Sequence, residues 1–320
     1  MCNVQNPLKD LTFRHPGVDD AQQTHDLMVR CDVSEYGEPD SSLDDLLYDW
    51  KRINLNHDAW LAFTPQGDLV GYGAVLPWVG GLRYDFYTDP SWQREDLGQA
   101  LVARCEERGL SLAQERQETT QVLARTYVAH TNQRDQELVE RAGFRRVKYH
   151  FQMQVQMETP PPGPQWPAGI SVRTFAPGPD DAPVYELIQA AFDWPGRTPP
   201  TFEAWQSFMM RPDIFEADLW FLGMSGKDIV GACLCFEYPE YGWVRQLGVA
   251  ESWRRKGLGT ALLRHTFGEF KRRGYDRVGL AVESGNPRAY SFYQKIGMQR
   301  VRQYDEYEKP IETGVRRDNL

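Results

Sequence analysis

The stretch Arg254-Arg255-Lys256-Gly257-Leu258-Gly259-Thr260-Ala261 lies between an apolar, strand-like run at residues 243–249 and an amphipathic, helix-like run at residues 260–271. A basic turn carrying two glycines at the mouth of a helix presents unpaired backbone N–H groups and the positive end of the helix dipole to whatever approaches it. That chemistry suits an anion, most simply a pyrophosphate. Upstream of the turn, residues 219–224 and 229–236 read as strands joined by a tight turn containing Gly226. They are preceded by helical runs at 181–192 and at 201–210, the second with Thr201 as N-cap. Downstream come a buried-type strand at 277–282, a helix at 287–295 started by Asn286 and Pro287 and ended near Gly297, and an extended stretch at 299–307.

The same order recurs in the first half. Residues 59–63 and 69–76 form the hairpin and 82–88 the following strand. Residues 91–101 then align without gaps on 252–262, with seven of the eleven positions identical. Further on, Asn132 matches Asn286, and Ala142-Gly143-Phe144 matches Ile296-Gly297-Met298. A repeat of this length predicts two homologous domains. The segment at residues 158–169, Glu-Thr-Pro-Pro-Pro-Gly-Pro-Gln-Trp-Pro-Ala-Gly, favours extended backbone and reads as the linker between domains at 1–157 and 170–320.

The copies differ where the chemistry lies. The three cations at 254–256 become Gln93, Arg94 and Glu95, and Gly257 becomes Asp96. A carboxylate in an anion cradle repels the ligand. The first half therefore reads as degenerate and the second as catalytic.

Composition narrows the class. With 320 residues, 41% hydrophobic and 25% charged, the chain has the make-up of an ordinary globular protein large enough for two cores. A net charge of -9 argues against general nucleic-acid binding, which rests on clustered Lys and Arg. No apolar run approaches the roughly 20 residues that span a bilayer, and the amino-terminal residues lack the regions of a signal peptide. The cytoplasm is the expected compartment, with no membrane partner. Five cysteines make no disulfide framework, and neither they nor the six histidines show metal-ligand spacing, so no metal is expected. Cys233 and Cys235 read as small buried hydrophobes.

A strand, then Arg254-x-x-Gly257-x-Gly259, then a helix, followed after another strand by Asn286-x-x-Ala289-x-x-x-Tyr293-x-x-x-Gly297, resembles the GCN5-related N-acetyltransferase (GNAT) superfamily. The likeness extends over the whole chain as two tandem copies and is greatest to the mycothiol-synthase-like branch. It implies an α/β (α+β) architecture of two tandem GNAT domains, each a mixed, twisted central sheet splayed at a CoA cleft and flanked by helices. It further implies acetyl-CoA as cosubstrate. The backbone of Arg255, Lys256, Gly257, Leu258, Gly259 and Thr260, with Arg254, would hold the pyrophosphate, the glycines being required because a Cβ would obstruct its approach. Backbone groups of Leu247, Gly248 and Val249 would pair with the pantetheine arm, and a backbone N–H near Val249 would stabilise the oxyanion. Asn286 would bind pantetheine as well as cap its helix, and Tyr293 would donate the proton to the leaving thiolate, a role for which Val139 in the first copy is unsuited.

The strand before the turn carries no carboxylate, so Glu237 stands in as general base, with Glu240 and Glu283 behind it. Asp193, Trp194, Trp205, Glu237, Tyr238, Glu240 and Tyr241 would suit a small cationic acceptor. The expected activity is N-acetylation of a primary amine of a small molecule by the C-terminal domain. A non-catalytic acyl-CoA-binding or interaction module and a protein N-terminal acetyltransferase are the alternatives. Oligomeric state is not legible.

Overall fold

A computed structural model describes residues 10–92, 95–115, 122–193 and 197–312. The first half runs β1 (Thr12–Arg14), α1 (Ala21–Tyr36), α2 (Leu43–Trp50), α3 (Leu55–Asp58), β2 (Ala59–Phe63), β3 (Leu69–Trp78), β4 (Gly81–Thr88), α4 (Glu95–Glu115), β5 (Val122–Ala129), α5 (Gln133–Arg141) and β6 (Arg145–Gln156). The second half repeats this with β7 (Ile170–Thr174), α6 (Asp181–Ala191), α7 (Phe202–Met209), β8 (Trp220–Ser225), β9 (Asp228–Glu237), β10 (Gly242–Val249), α8 (Leu258–Arg272), β11 (Arg277–Glu283), α9 (Pro287–Lys295) and β12 (Gln299–Ile311). Local chemistry sets the ends: Ser42 caps α2, Thr201 caps α7 through the Ala204 amide, and Gly37, at φ +82°, stops α1.

The chain forms two compact units that are not its two sequence halves. One comprises Met1–Tyr149 with Arg302–Leu320, the other His150–Val301. The reason is a strand exchange. β6 continues from the first half but pairs antiparallel with β11, Arg277 opposite Gln156 through Glu283 opposite His150. β12 ends the second half but pairs antiparallel with β5, Tyr304 opposite Ala129 through Ile311 opposite Val122. A boundary at residues 158–169 alone therefore does not separate the units, since each is completed by a strand from the other half.

Each unit holds a mixed sheet with one parallel junction. In the first unit, β2, β3 and β4 are antiparallel and β4 meets β5 in parallel. In the second, β7 to β10 are antiparallel and β10 meets β11 in parallel. That parallel pairing covers only Gly242–Val244 against Val278–Leu280, after which the strands part. The first unit parts in the same way after Arg83 and Arg125. An irregularity between Val244 and Gln246, where β10 slips against β9, marks the start of the splay. The mixed, splayed sheet expected from the sequence is present in both units.

The second unit is built on Trp220, Phe236, Phe270, Leu262 and Val278, all buried between the sheet and its helices. Burial at about 25 cal/mol per Å² of apolar surface supplies its main stabilisation. Gly248 serves this packing. A Cβ there would lie 2.9 Å from Ile188 Cδ1 and 3.2 Å from Ala191 Cβ, so its absence lets α6 settle against β10.

Candidate functional site

The basic turn sits where the sequence places it, at the open end of β10. A short 3-10 turn over Glu251–Trp253 leads into it, and α8 begins at Leu258. Arg255, at φ +62°, is the only non-glycine among the described residues with positive φ, and Gly257, at φ +88°, is also left-handed. Two left-handed residues spaced this way aim successive N–H groups into one concavity. No side chain caps α8, so the amides of its first turn keep no local acceptor. Arg254, Arg255, Lys256 and Gly257 are exposed, and Leu258 is buried. Arg254 is also structural: its Nε donates to the Val249 carbonyl at 3.1 Å, pinning the turn to the end of β10. Lys256 stands over the Trp253 ring at 5.1 Å.

Within the protein itself the two glycines are not required by crowding. A Cβ on Gly257 would meet no protein atom within 4 Å, and one on Gly259 would make ordinary contacts of 3.4 Å with Phe292 and 3.6 Å with Val249. Within the protein, Gly257 is demanded by its positive φ rather than by crowding.

On the other lip, Asn286 caps α9 by accepting from the Ala289 amide at 3.0 Å. Among the described residues its Nδ2 makes no hydrogen bond. Tyr293 lies two turns along the same helix face. Burial pushes its phenol well above the usual range, with the nearby Cys233 adding to the shift, so the hydroxyl stays protonated at neutral pH. Its ring packs on Phe292 at 5.3 Å. Leu247, Gly248 and Val249 form the β10 lip, paired to Cys233, Ala232 and Gly231 of β9 on their other side. Cys233 and Cys235 are fully buried, their sulfurs 3.7 Å apart, with Thr266 Oγ1 donating to Cys233. They are packing groups.

Glu237 is not brought to this place. It pairs with Gly242, at the closed end of the β10–β11 junction, because antiparallel β9 runs away from the turn. Seven residues of strand, about 23 Å at ~3.3 Å each, separate that level from Val249. Its carboxylate is also occupied, by Tyr275 Oη at 2.7 Å and Arg273 Nη1 at 2.9 Å. Glu240 faces Arg277 in the same region. Tyr238 and Tyr241 belong to that hairpin too, whereas Trp194 lies outside the described residues. Trp205 does reach the splay: its indole donates to Gln246 Oε1 at 3.0 Å. Glu283, the last residue of β11, stands on the splayed side with Arg197 close enough to feel its charge and that of Asp193. The Trp205–Gln246 bond has no signal in the sequence, because the partners are 41 residues apart and neither lies in a motif.

Glu237→Gln is accordingly expected to leave kcat/KM within about threefold of wild type while lowering stability by about 1–2 kcal/mol, the cost of weakening a partly buried charged hydrogen-bond network. Parallel activity and thermal-melting measurements check this, and a selective loss of activity would return Glu237 to the chemistry.

In the first unit the position corresponding to Gly257 differs in backbone as well as charge. Asp96, the counterpart of the left-handed Gly257, is inside α4, whose first turn carries Glu95 and Asp96. Those carboxylates occupy the positive end of the helix themselves. Gln93 and Arg94 lie outside the described residues. Val139, opposite Tyr293 in the repeat, is fully buried core.

Desolvation raises Glu35, near the end of α1, from the ordinary 4.5 to about 7, and the charges of Asp135 and Asp32 add to the shift against the Asn132 hydrogen bond and Arg302. A carboxyl raised on folding binds an extra proton in the native state between those two values. Stability is therefore expected to fall as pH rises from about 4.5 to 7 and to level off above, by about 3 kcal/mol in all. Glu35→Gln should flatten that slope, as denaturant midpoints at pH 5 and 8 would reveal. An unchanged slope would contradict the assignment.

A mixed sheet splayed at a basic, uncapped helix start, with an asparagine and a protonated tyrosine on the facing helix, is the arrangement of a CoA-dependent acyltransferase. The chain belongs to the acetyltransferase (GNAT) family, whose model matches residues 21–144 and 182–298. It is a tandem GNAT acyltransferase of the mycothiol-synthase-like branch. Mycothiol acetyltransferase of Geodermatophilus obscurus is 27% identical over 257 residues, covering 75% of this chain and 78% of that protein. The one from Saccharomonospora viridis is 31% identical over 176 residues, 51% of this chain and 57% of that protein, so the chain spans just over half of that relative's length. Among solved structures, a GCN5-related N-acetyltransferase from Sphaerobacter thermophilus superposes with TM-score 0.81 at 33% identity, covering 95% of this chain and 96% of that one. A tandem GNAT protein from the clavulanic acid biosynthesis pathway shares the fold, with TM-score 0.73 at 17% identity over 94% of this chain and 98% of that one. Among the described residues no helix is long and apolar enough to cross a membrane. Nor, among them, is any group of three or more His, Cys, Asp or Glu arranged to hold a metal ion.

Proposed function

We propose that the second unit transfers the acetyl group of acetyl-CoA to a primary amine of a small molecule. The observation that carries this reading is the conjunction, at one splay, of an uncapped α8 start with the free amide of Asn286 and the protonated phenol of Tyr293. When bound, acetyl-CoA supplies an activated acyl group and a thiolate leaving group. The amides of residues 255–260 and the cations Arg255 and Lys256 hold its pyrophosphate. Asn286 Nδ2 and the β10 backbone at Leu247 to Val249 hold its amide-bearing arm, and an N–H near Val249 faces the carbonyl oxygen as negative charge develops. Tyr293 gives its phenolic proton to the departing sulfur.

The amine must lose a proton to attack. Of the three carboxylates weighed as base, Glu237 and Glu240 lie at the closed end and Glu283 on the splayed side, so Glu283 replaces Glu237 as the group to accept that proton, directly or through water. In the first unit Asp96, inside α4, stands for Gly257 and buried Val139 for Tyr293, which supports its role as a non-catalytic partner. The relatives' name, mycothiol acetyltransferase, makes the mycothiol-forming amine one acceptor to try within a wider amine panel.

Acetyl-CoA titration together with that panel tests the proposal. Binding of one equivalent per chain, with CoA released on addition of an amine, is expected. Release from water alone, or no binding, would defeat it. Glu283→Gln should lower kcat/KM by about a hundredfold at neutral pH, with the gap narrowing as pH rises and the free amine becomes available. An unchanged profile would leave the proton to solvent.

A further inference from the structure

Two helices that begin alike end differently. Arg14 bonds both carboxylate oxygens of Asp20 at 2.6 Å, and the Gly17 amide donates to the same group at 2.7 Å. Arg173, Asp180 and the Ala176 amide repeat this clamp in the other half, Arg173 Nη2 reaching Asp180 at 2.8 Å and the amide at 2.7 Å. From this common start α6 runs 11 residues and stops at Ala191, whereas α1 runs 16 and stops at Tyr36. The added length is about a turn and a half.

The end of α1 turns to the place where β4 and β5 part. Cys31 Sγ donates to the carbonyl of Thr88, the last residue of β4 and counterpart of Val249. Thr131 Oγ1 donates to the Glu35 carbonyl at 3.3 Å. Tyr36 Oη accepts from the His130 amide at 3.1 Å and donates to the Gln303 carbonyl.

The asparagines make the sharpest contrast. Asn132 and Asn286 occupy the same repeat position, and each caps its helix through Oδ1, to Asp135 N and to Ala289 N, both at 3.0 Å. Asn132 Nδ2 is already committed, to Glu35 Oε1 at 2.8 Å and Asp135 Oδ2 at 2.9 Å. An amide nitrogen has two hydrogens, so no donor is left for a ligand. The same nitrogen of Asn286 makes no hydrogen bond among the described residues.

We infer that the last turn of α1 occupies, in the first unit, the path taken by the pantetheine arm in the second, closing that cleft to CoA by the protein's own helix. The inference rests on the roles assigned above to Asn286 and the β10 edge. It predicts that restoring the basic glycine turn is not enough to open the first unit, because the backbone and side-chain donors of its cleft stay engaged.

The test is run in the full chain with Gly257→Asp, which silences the second unit, and with Glu95→Lys and Asp96→Gly, which rebuild the turn in the first. This triple variant is expected to show no acetyl-CoA binding by calorimetry. Adding Glu35→Ala and Tyr36→Ala, which release the α1 turn, is expected to yield one equivalent bound at least tenfold more tightly. Binding by the triple variant would overturn the inference, and so would absence of binding in both. A second measurement needs no variant. In the wild-type protein, amide exchange at residues 31–36 and at His130 should be the same with and without saturating acetyl-CoA, and a ligand-induced change there would overturn the proposal. Failure of the wild-type protein to bind acetyl-CoA at all would instead defeat the underlying site assignment.

Discussion

Acetyl-CoA titrated into a Gly257→Asp variant is expected to give no measurable binding, against one equivalent in the wild-type protein. Two effects add. Gly257 is left-handed at φ +88°, a conformation that costs a residue with a Cβ roughly 1 kcal/mol, somewhat less for Asp than for most. Charge repulsion is the greater of the two. A carboxylate about 4 Å from a phosphate charge, at an effective dielectric near 20, is opposed by about 4 kcal/mol. Since about 1.4 kcal/mol is tenfold in affinity, the site should weaken by roughly a thousandfold or more. Gly257→Ala separates backbone strain from repulsion, because it carries only the backbone cost and should lose about fivefold. Equal losses in the two variants would mean that no anion sits at this turn.

Tyr293→Phe is expected to lower kcat by about a hundredfold or more while leaving acetyl-CoA affinity nearly unchanged, since the hydroxyl acts on the sulfur only as it departs. Burial holds the phenol protonated, so the wild-type profile should show no loss through neutral pH from its ionisation. The variant should be partly rescued by acyl donors whose thiol is more acidic and leaves without a proton. A variant that binds poorly but turns over normally once saturated would make Tyr293 a packing residue beside Phe292. Single-turnover kinetics with saturating donor distinguishes the two.

The motifs of the candidate site were legible because they are local. A glycine turn opening a helix, and an asparagine seven residues before a tyrosine, are fixed by spacing within one element and survive whatever the rest of the chain does. What required the structure was the choice of partner across long separations. β6 alternates like a strand in the sequence and β12 reads only as an extended stretch, and nothing in either tells β6 to pair with β11 or β12 with β5. Glu237 looks close to the turn because it is near in sequence, but antiparallel β9 carries its last residue to the opposite end of β10. The opening helices of the first half escape notice for a compositional reason. α1 buries Thr24 and Asp32 alongside Leu27 and Cys31, so its inward face lacks the apolar stripe that signals a helix. Gly257 carries a further requirement, a left-handed backbone angle that spacing does not reveal.

The strand exchange makes the two halves of the gene inseparable as folding units. A fragment ending before residue 158 would retain β6, whose partner β11 it lacks, and would leave β5 as an open edge. A fragment beginning at residue 170 would carry β12 without β5. Unpaired edges of this kind recruit other strands. Neither half made alone is expected to be a monomeric domain, whereas the two made together should recombine, and a protease nick within residues 158–169 should leave both halves bound. The exchange makes each copy the keeper of the other's sheet: the first supplies β6 to β11 and the second supplies β12 to β5, so neither copy can be lost without opening the sheet of the one that stays.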